Sequence, residues 1–169
     1  MKMDAGTGND RICQITLAGG CFWDIEAGFR GIPGIRATVV GYTGGDEEHP
    51  DYIRVSTGET GHVEAVRIAY DPAVIPLPEI LGHFFNLFDP TAPVSEAGVP
   101  GSQYRPAVFC HTEEDCCTAQ AYIREAEQSG RYGGPFAVVV RRAGPFWPAE
   151  ECHQQYYEKM ANRYRTPLF

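Results

Sequence analysis

The sequence predicts a two-layer α+β domain, and two features of its patterning support this class. Segments with the period-two alternation of strands are interspersed with segments that have the apolar spacing of helices, and long loops connect them. The chain has 169 residues, of which 43% are hydrophobic and 21% are charged, as is ordinary for one globular domain. We therefore expect a single domain over residues 12–169, preceded by a disordered lead-in at residues 1–11.

Composition excludes several classes of function. The formal net charge of −8 argues against a nucleic-acid partner and against an anionic membrane surface. The sequence has neither an apolar run long enough for a spanning helix nor the apolar core of a signal peptide near its start. The missing signal segment and a core of sufficient size favour a cytoplasmic protein whose six cysteines are reduced thiols rather than disulfides. The lack of a Cys-x-x-Cys pair argues against a zinc site.

Alternating and β-branched residues, separated by glycine and proline turns, predict the strands. We predict strands at residues 12–17, 35–42, 61–70, 106–111 and 136–141. Two long polar or glycine-rich loops, at residues 46–60 and 89–105, interrupt this pattern. Loops of this length in a compact domain are often functional.

Apolar spacing predicts the helices. Phe22, Ile25 and Phe29 recur at helical intervals, and residues 76–88 carry a broad apolar stripe. Thr112 opens a segment that resembles a capping box, so we predict a helix from there to about Gln128. A short helix is predicted around Cys152 and His153, and the tail to Phe169 is predicted to be irregular.

The segment Gly19-Gly20-Cys21 lies between the first predicted strand and the first predicted helix. Backbone N–H groups and the helix dipole at a helix N-terminus favour a thiolate, which is the reactive form of cysteine. We therefore expect nucleophilic chemistry at Cys21. The alternative, a buried cysteine that packs as a small hydrophobic side chain, remains open from spacing alone.

Glu64 is the unusual acid of the third predicted strand, because it shares a face with Val66 and Ile68. A carboxyl buried on that face has a raised pKa and can act as a general acid near neutral pH. A position at a solvated edge of the sheet is the alternative, and the strand pattern leaves both open.

Several short motifs occur in a fixed order over most of the chain. They are Gly20-Cys21-Phe22-Trp23 with Glu26, residues 34–45, residues 60–66 with Tyr70-Asp71-Pro72, Asp89-Pro90-Thr91, Gln103-Tyr104-Arg105, and residues 146–156. The ordered set resembles the peptide methionine sulfoxide reductase A family. Members of that family have an α+β fold with a central mixed β-sheet, so we expect that sheet here, flanked by helices and long loops in a single catalytic domain.

The resemblance implies reduction of the S epimer of methionine sulfoxide, free or in proteins. Cys21 is the implied nucleophile at the sulfoxide sulfur, and Glu64 the implied donor of the proton that lets the oxygen leave. The resemblance places an apolar pocket for the ε-methyl group at Phe22 and Trp23, and hydrogen bonds to the sulfoxide oxygen at Tyr52 and Tyr104.

The implied product is a sulfenic acid on Cys21, which condenses with a second thiol to a disulfide that thioredoxin reduces. Cys152 ranks first as the resolving thiol, because the family places its motif near the site. Cys13 is less favoured, since it lies on the strand that precedes Cys21. The remaining alternatives are Cys110, Cys116 and Cys117, or direct reduction by a small thiol. We expect a monomer with no cofactor and no metal.

Val99 departs from the family pattern, which usually has an aspartate at that position. That aspartate helps hold the substrate in many members, so substrate choice is affected. A redox-responsive module that binds sulfoxides or proteins, or a reductase for a different small sulfoxide, is therefore the alternative function. Asp24 lies close to Cys21, where its charge opposes thiolate formation.

Overall fold

A computed structural model describes residues 11–165, so most of the predicted lead-in, residues 1–10, lies outside the described part. The strands are β1 (Cys13–Ala18), β2 (Ile35–Thr43), β3 (Val63–Tyr70), β4 (Ala107–Cys110), β5 (Val139–Arg142) and β6 (Phe146–Pro148). The α-helices are α1 (Phe22–Phe29), α2 (Tyr52–Ser56), α3 (Leu77–Phe85), α4 (Glu113–Gln128) and α5 (Tyr156–Arg165). Short 3₁₀ helices occupy Ser102–Tyr104 and Glu151–His153. None of the helices in this described range is long and apolar enough to cross a membrane.

The six strands form one mixed sheet in the order β5-β4-β1-β3-β2-β6. β4 and β5 run parallel, and the other neighbouring pairs run antiparallel. The α+β class and the mixed sheet are therefore confirmed. β1 and β3 lie at the centre of this order, so each is hydrogen-bonded to a neighbouring strand along both of its edges.

Alternate residues of each strand point to opposite faces of the sheet. On one face, Leu17, Val66 and Val108 join the main core together with Phe84 of α3. On the other face lies a smaller cluster formed by Ala18, Val63, Ala65, Ala107 and Phe109. The helices pack on the first face, so the second is covered more lightly.

The structure differs from the predicted elements at the last strand and in the first long loop. The last strand pairs with β4 from Val139, not from Phe136, because the segment before it bonds elsewhere. Phe136 N–H donates to Glu127 Oε1, and Ala137 N–H donates to the carbonyl of Pro90. The first long loop also contains a helix, α2, whose N-cap Asp51 accepts from Arg54 N–H at 2.8 Å.

The C-terminal segment differs most from its prediction. The expected short helix is a 3₁₀ turn followed by a separate helix, α5, which continues to Arg165 where an irregular tail was expected. Gln155 separates the two with a left-handed φ of 48°. The Tyr157 hydroxyl donates to Asp24 Oδ1 at 2.5 Å, and Arg30 pairs with Glu158, so contacts with α1 hold α5 in place.

Candidate active site

Cys21 lies at the junction of β1 and α1, as the glycine turn predicts. Gly20 has a φ of 104°, which glycine adopts without the steric cost that a side chain brings. Cys21 is the N-cap of α1, and its carbonyl accepts from Asp24 N–H at 3.1 Å. The thiol therefore lies at the N-terminal end of the helix, beside the backbone N–H groups of its first turn.

The pKa of the Cys21 thiol is nevertheless raised. Burial is the largest cause, and the charges of Glu64 and Asp24 raise it further. The backbone N–H groups of Trp23 and Asp24 lower it, as expected at a helix N-terminus, but they do not outweigh burial. The prediction of a favoured thiolate is therefore wrong.

Glu64 is buried under α1, with only 1% of its surface exposed, so the alternative of a solvated edge is wrong. Its neighbour across the β2–β3 ladder is Tyr42, and its Oε1 accepts from Phe22 N–H at 3.2 Å. Burial raises the pKa of Glu64 to about 7, although the Phe22 N–H lowers it. A carboxyl with this pKa carries a transferable proton at neutral pH.

Tyr52 and Tyr104 come from different loops and reach the same region. Tyr52 is the first residue of α2, and its N–H donates to Glu150 Oε2 at 3.3 Å. Tyr104 ends a 3₁₀ turn and is 41% exposed. Burial raises the pKa of Tyr104, and the charges of Glu64, Tyr52 and Cys21 raise it further. Its hydroxyl therefore keeps the proton that a hydrogen-bond donor needs, next to the thiol and the carboxyl.

Phe22 and Trp23 belong to an aromatic cluster centred on His153. Trp23 Nε1 donates to His153 Nδ1 at 3.1 Å, and the Trp23 ring stacks on Tyr156 at 3.7 Å and 6°. The His153 ring lies 5.5 Å from that of Phe22 and 4.6 Å from that of Tyr52. Phe22 is fully buried and Trp23 is partly exposed, so Trp23 presents the more accessible apolar surface.

Sequence reasoning gave His153 and Tyr156 no role, although both lie in the last quoted motif. Burial lowers the pKa of His153, while the charge of Glu150 raises it. Since Nδ1 accepts from Trp23, the proton of the neutral ring is assigned to Nε2, which lies 3.8 Å from Glu150 Oε2. The position of His153 and Tyr156 in the motif at residues 146–156 was the sequence feature that could have identified them.

Two buried polar side chains tie the C-terminal segment to this site. Glu26 Oε1 accepts from Gln155 N–H at 2.6 Å, and its Oε2 accepts from the Thr38 hydroxyl at 2.8 Å. The Gln154 amide accepts from Val40 N–H at 3.0 Å and donates to the Val40 carbonyl at 2.9 Å. These bonds fix the backbone between His153 and Tyr156, and thereby the cluster around Trp23.

The two long loops contact each other beside the site. Gly58 has a φ of 80°, and a Cβ at this position would overlap the carbonyl oxygen of Val99. Arg105 Nη2 donates to the carbonyl of Gly61 at 3.1 Å. The Val99 backbone therefore holds the Tyr104 loop against the loop that carries Tyr52, while its own side chain is exposed.

All six cysteines carry free thiols. Cys152 is exposed and precedes His153 in the 3₁₀ turn, so its segment lies against the residues that follow Cys21. Cys110 and Cys116 are buried in the main core. Within residues 11–165, no group of three or more histidine, cysteine or acidic side chains is placed to hold a metal ion.

Residues 13–167 match the model of the family described as peptide methionine sulfoxide reductase. The peptide methionine sulfoxide reductase MsrA of Methanoculleus marisnigri is 43% identical over 146 residues, which cover 86% of this chain and 89% of the relative. The reduced form of Mxr1 from Saccharomyces cerevisiae has a similar structure, with a TM-score of 0.80 and 32% identity over 94% of this chain and 89% of that one. Mxr1 in complex with Trx2 is also similar, with a TM-score of 0.62 and 26% identity over 92% of this chain and 89% of that one.

Proposed function

This chain belongs to the peptide methionine sulfoxide reductase family, and we propose that Cys21 and Glu64 carry out its reduction of methionine sulfoxide. The enzymatic activity follows from family membership, which favours turnover over a binding module on the same scaffold. The observation that supports the two residues is their juxtaposition: the N–H of Phe22, the residue after Cys21, donates to Glu64 Oε1 at 3.2 Å.

Glu64 supplies the proton and Cys21 the electron pair. The Cys21 sulfur attacks the sulfoxide sulfur, and protonation by Glu64 weakens the S–O bond. The bond breaks as the oxygen passes with that proton to Cys21, which becomes a sulfenic acid, and methionine is released. The proton lost from the Cys21 thiol restores the acid form of Glu64. The raised pKa of Glu64, about 7, supports this role, because the proton is available at neutral pH.

Tyr52, Tyr104, Phe22 and Trp23 bind the substrate in this proposal. Tyr52 and Tyr104 donate hydrogen bonds to the sulfoxide oxygen, where negative charge develops as the S–O bond polarises. Phe22 and Trp23 form the apolar wall for the methyl group, and the hydrogen bond from Trp23 to His153 holds that wall in place. The position of both aromatic residues directly after Cys21 supports this assignment.

We propose that Cys152 resolves the sulfenic acid and that thioredoxin reduces the resulting disulfide. Attack of the Cys152 thiol on the sulfenic sulfur forms the disulfide and releases water, and a dithiol then returns both cysteines to thiols. The exposure of Cys152 supports this role, and the complex of the yeast relative with Trx2 supports the reductant. Six free cysteines fit a reducing compartment such as the cytoplasm. One chain supplies all the proposed site residues, which fits a working monomer without a cofactor.

The test is reduction of racemic N-acetyl methionine sulfoxide with dithiothreitol, with the two epimers resolved on a chiral column. We expect loss of the S epimer alone. Cys21→Ser removes the nucleophile, so turnover should fall below detection while the circular dichroism spectrum stays that of the native fold. Consumption of neither epimer by the native protein, or retained turnover in Cys21→Ser, would contradict the proposal.

A further inference from the structure

A groove leads away from the proposed active site. Its volume is ≈ 390 Å³, and Gly20 and Tyr104 line the end nearest to the reacting groups. Phe88, Ala92 and Val94 form part of its apolar wall. Because Gly20 directly precedes Cys21, this end of the groove lies beside the residue that carries the thiol.

A second, smaller groove extends this path. Its volume is ≈ 140 Å³, and it shares Val94, Arg105 and Pro106 with the first. Its floor includes Phe109, which belongs to the smaller cluster on the lightly covered face of the sheet. Val139 lines its outer part. Together the two grooves form one path from Gly20 and Tyr104 to that face, which we call the flanking groove.

Most side chains that line the flanking groove are apolar, and its charged members are Asp89, Arg105 and Arg141. Arg141 lies over the Phe109 ring, 5.8 Å from its centroid. Val94 is 47% exposed and Val139 is 58% exposed. Arg105 is held against its own loop, since its Nε donates to the Ser102 carbonyl at 2.8 Å. Asp89 at the other side accepts from the N–H and the hydroxyl of Thr91.

We propose that the flanking groove binds the residues next to the sulfoxide in polypeptide substrates and selects those with apolar neighbours. This inference rests on the proposed function. A methionine sulfoxide within a chain has backbone on both sides, and that backbone must leave the site along the protein surface. The flanking groove starts at the site and continues along the sheet, so an extended peptide fits it, and valine or leucine side chains would bury its apolar wall.

The first experiment compares two peptides, acetyl-Gly-Val-Met(O)-Val-Gly-amide and acetyl-Gly-Ser-Met(O)-Ser-Gly-amide, as the S epimers. With dithiothreitol as reductant, we expect kcat/KM to be about tenfold higher for the valine peptide, because the groove removes its apolar side chains from contact with water. Equal values would overturn the inference. N-acetyl methionine sulfoxide serves as the reference substrate. If it is reduced while the two peptides react at equal rates, only the peptide selection by the groove is contradicted. If it is not reduced, the proposed function is contradicted.

Val94→Lys tests whether the preference arises in the flanking groove. A lysine there places a charge on the shared wall, so the ratio of the two kcat/KM values should fall to about twofold or less. Val74→Lys is the matched control, because Val74 is 50% exposed elsewhere on the surface and should leave the ratio unchanged. If Val94→Lys does not fold, Val94→Ser takes its place. An unchanged ratio in Val94→Lys overturns the inference. A fall in thioredoxin-dependent turnover alone also overturns it, because thioredoxin would then be what binds the groove.

Binding can also be measured without turnover. In Cys21→Ser, the valine peptide should shift the methyl resonances of Ala92 and Val94, whereas N-acetyl methionine sulfoxide should leave them in place. Shifts from both ligands, or from neither, would contradict a groove that reads the flanking residues.

Discussion

Burial of Glu64 has opposite consequences for catalysis and for stability. The pKa rises from 4.5 to about 7 in the folded protein, so the folded state holds the proton more tightly than the unfolded chain. The stabilisation from that proton is fully present below pH 4.5 and is lost as the pH rises through about 7. The size of the effect is about 3 kcal/mol, because one pKa unit corresponds to ~1.4 kcal/mol.

We expect Glu64→Gln to lower activity and raise stability. The amide cannot give up a proton in the reaction, so kcat should fall by about 100-fold or more. It also carries no charge to bury, so the loss of unfolding free energy between pH 5 and pH 8 should be about 2.5 kcal/mol smaller than in the native protein, because part of the full effect lies below pH 5. Urea unfolding at both pH values measures this difference.

Glu125→Gln is the control for Glu64→Gln, since Glu125 is exposed on α4. It should keep the pH dependence and the activity of the native protein. A Glu64→Gln variant that turns over normally would remove Glu64 from the reaction, and one with native pH dependence of stability would show that the carboxyl is not the buried acid.

The chemistry of single residues was partly predictable from sequence. Strand parity placed Glu64 on the same face as Val66, and glycines placed Cys21 at a helix N-terminus. Whether Glu64 is buried depends on strand order, because β3 lies between β1 and β2, and strand order is set by contacts far apart in sequence. The raised pKa of Cys21 has the same origin, since burial and the charge of Glu64 come from the assembled fold.

At the level of elements, the contact between the two long loops controls where Tyr104 lies. Gly58 lets the Val99 carbonyl approach closely, and Ser102 Oγ donates to the Gly58 carbonyl at 3.5 Å. Tyr104 follows within two residues of Ser102. A displacement of this contact therefore moves a proposed ligand of the sulfoxide oxygen.

We expect Gly58→Ala to lower kcat/KM by at least tenfold. The new Cβ would overlap the Val99 carbonyl, so the Tyr104 loop must shift, and displacements of about 1 Å are costly in active sites. The measurement is steady-state reduction of N-acetyl methionine sulfoxide, together with the midpoint of thermal unfolding.

Gly130→Ala separates backbone strain from loop displacement. Gly130 has a φ of 75°, close to that of Gly58, but a Cβ there has open space around it. Both variants should lose about 1 kcal/mol of stability from the left-handed backbone, whereas Gly130→Ala should keep native kcat/KM. Equal activity in the two variants would mean that the contact between the loops does not position Tyr104.

Elements with a strong local signal were predictable, and those defined by distant contacts were not. α3 has its apolar stripe, and Thr112 Oγ1 accepts from Asp115 N–H at 3.1 Å as the capping motif of α4 predicts. α5 lacks such a signal, because its position depends on Tyr156 stacking on Trp23 and on the pairing of Glu158 with Arg30. Trp23 and Arg30, the two residues that hold α5, lie far from it in sequence. Arg30 and Glu158 are separated by 128 positions.

At the scale of the whole molecule, the sheet separates the cysteines into two groups. Cys13 begins β1, and Cys110 pairs with Ile15 at the same end of the sheet. Cys21 follows the other end of β1, and the six residues from Cys13 to Ala18 span ~17 Å of strand. Cys116 packs with Cys110 in the main core. A disulfide between Cys21 and any of these would require large backbone movement, since bridged Cα atoms lie within about 7 Å of each other.

Cys152 is in the other group, because the turn that carries it packs against Phe22 and Trp23 through His153. We expect Cys152→Ser to lower thioredoxin-dependent turnover at least tenfold while dithiothreitol-dependent turnover stays within twofold of native. Thioredoxin acts by exchange with a disulfide, and without a resolving thiol the sulfenic acid on Cys21 offers none, whereas a small thiol can reach it directly.

Cys117→Ser is the matched control for Cys152→Ser, since Cys117 is also exposed but lies in the first turns of α4. It should leave both activities at native values, and mass spectrometry of native protein after one turnover should find a disulfide between Cys21 and Cys152. Native thioredoxin-dependent turnover in Cys152→Ser would exclude Cys152 as the resolving thiol. Because Cys13, Cys110 and Cys116 lie toward the far end of the sheet, that outcome would favour direct reduction of the sulfenic acid by an external thiol.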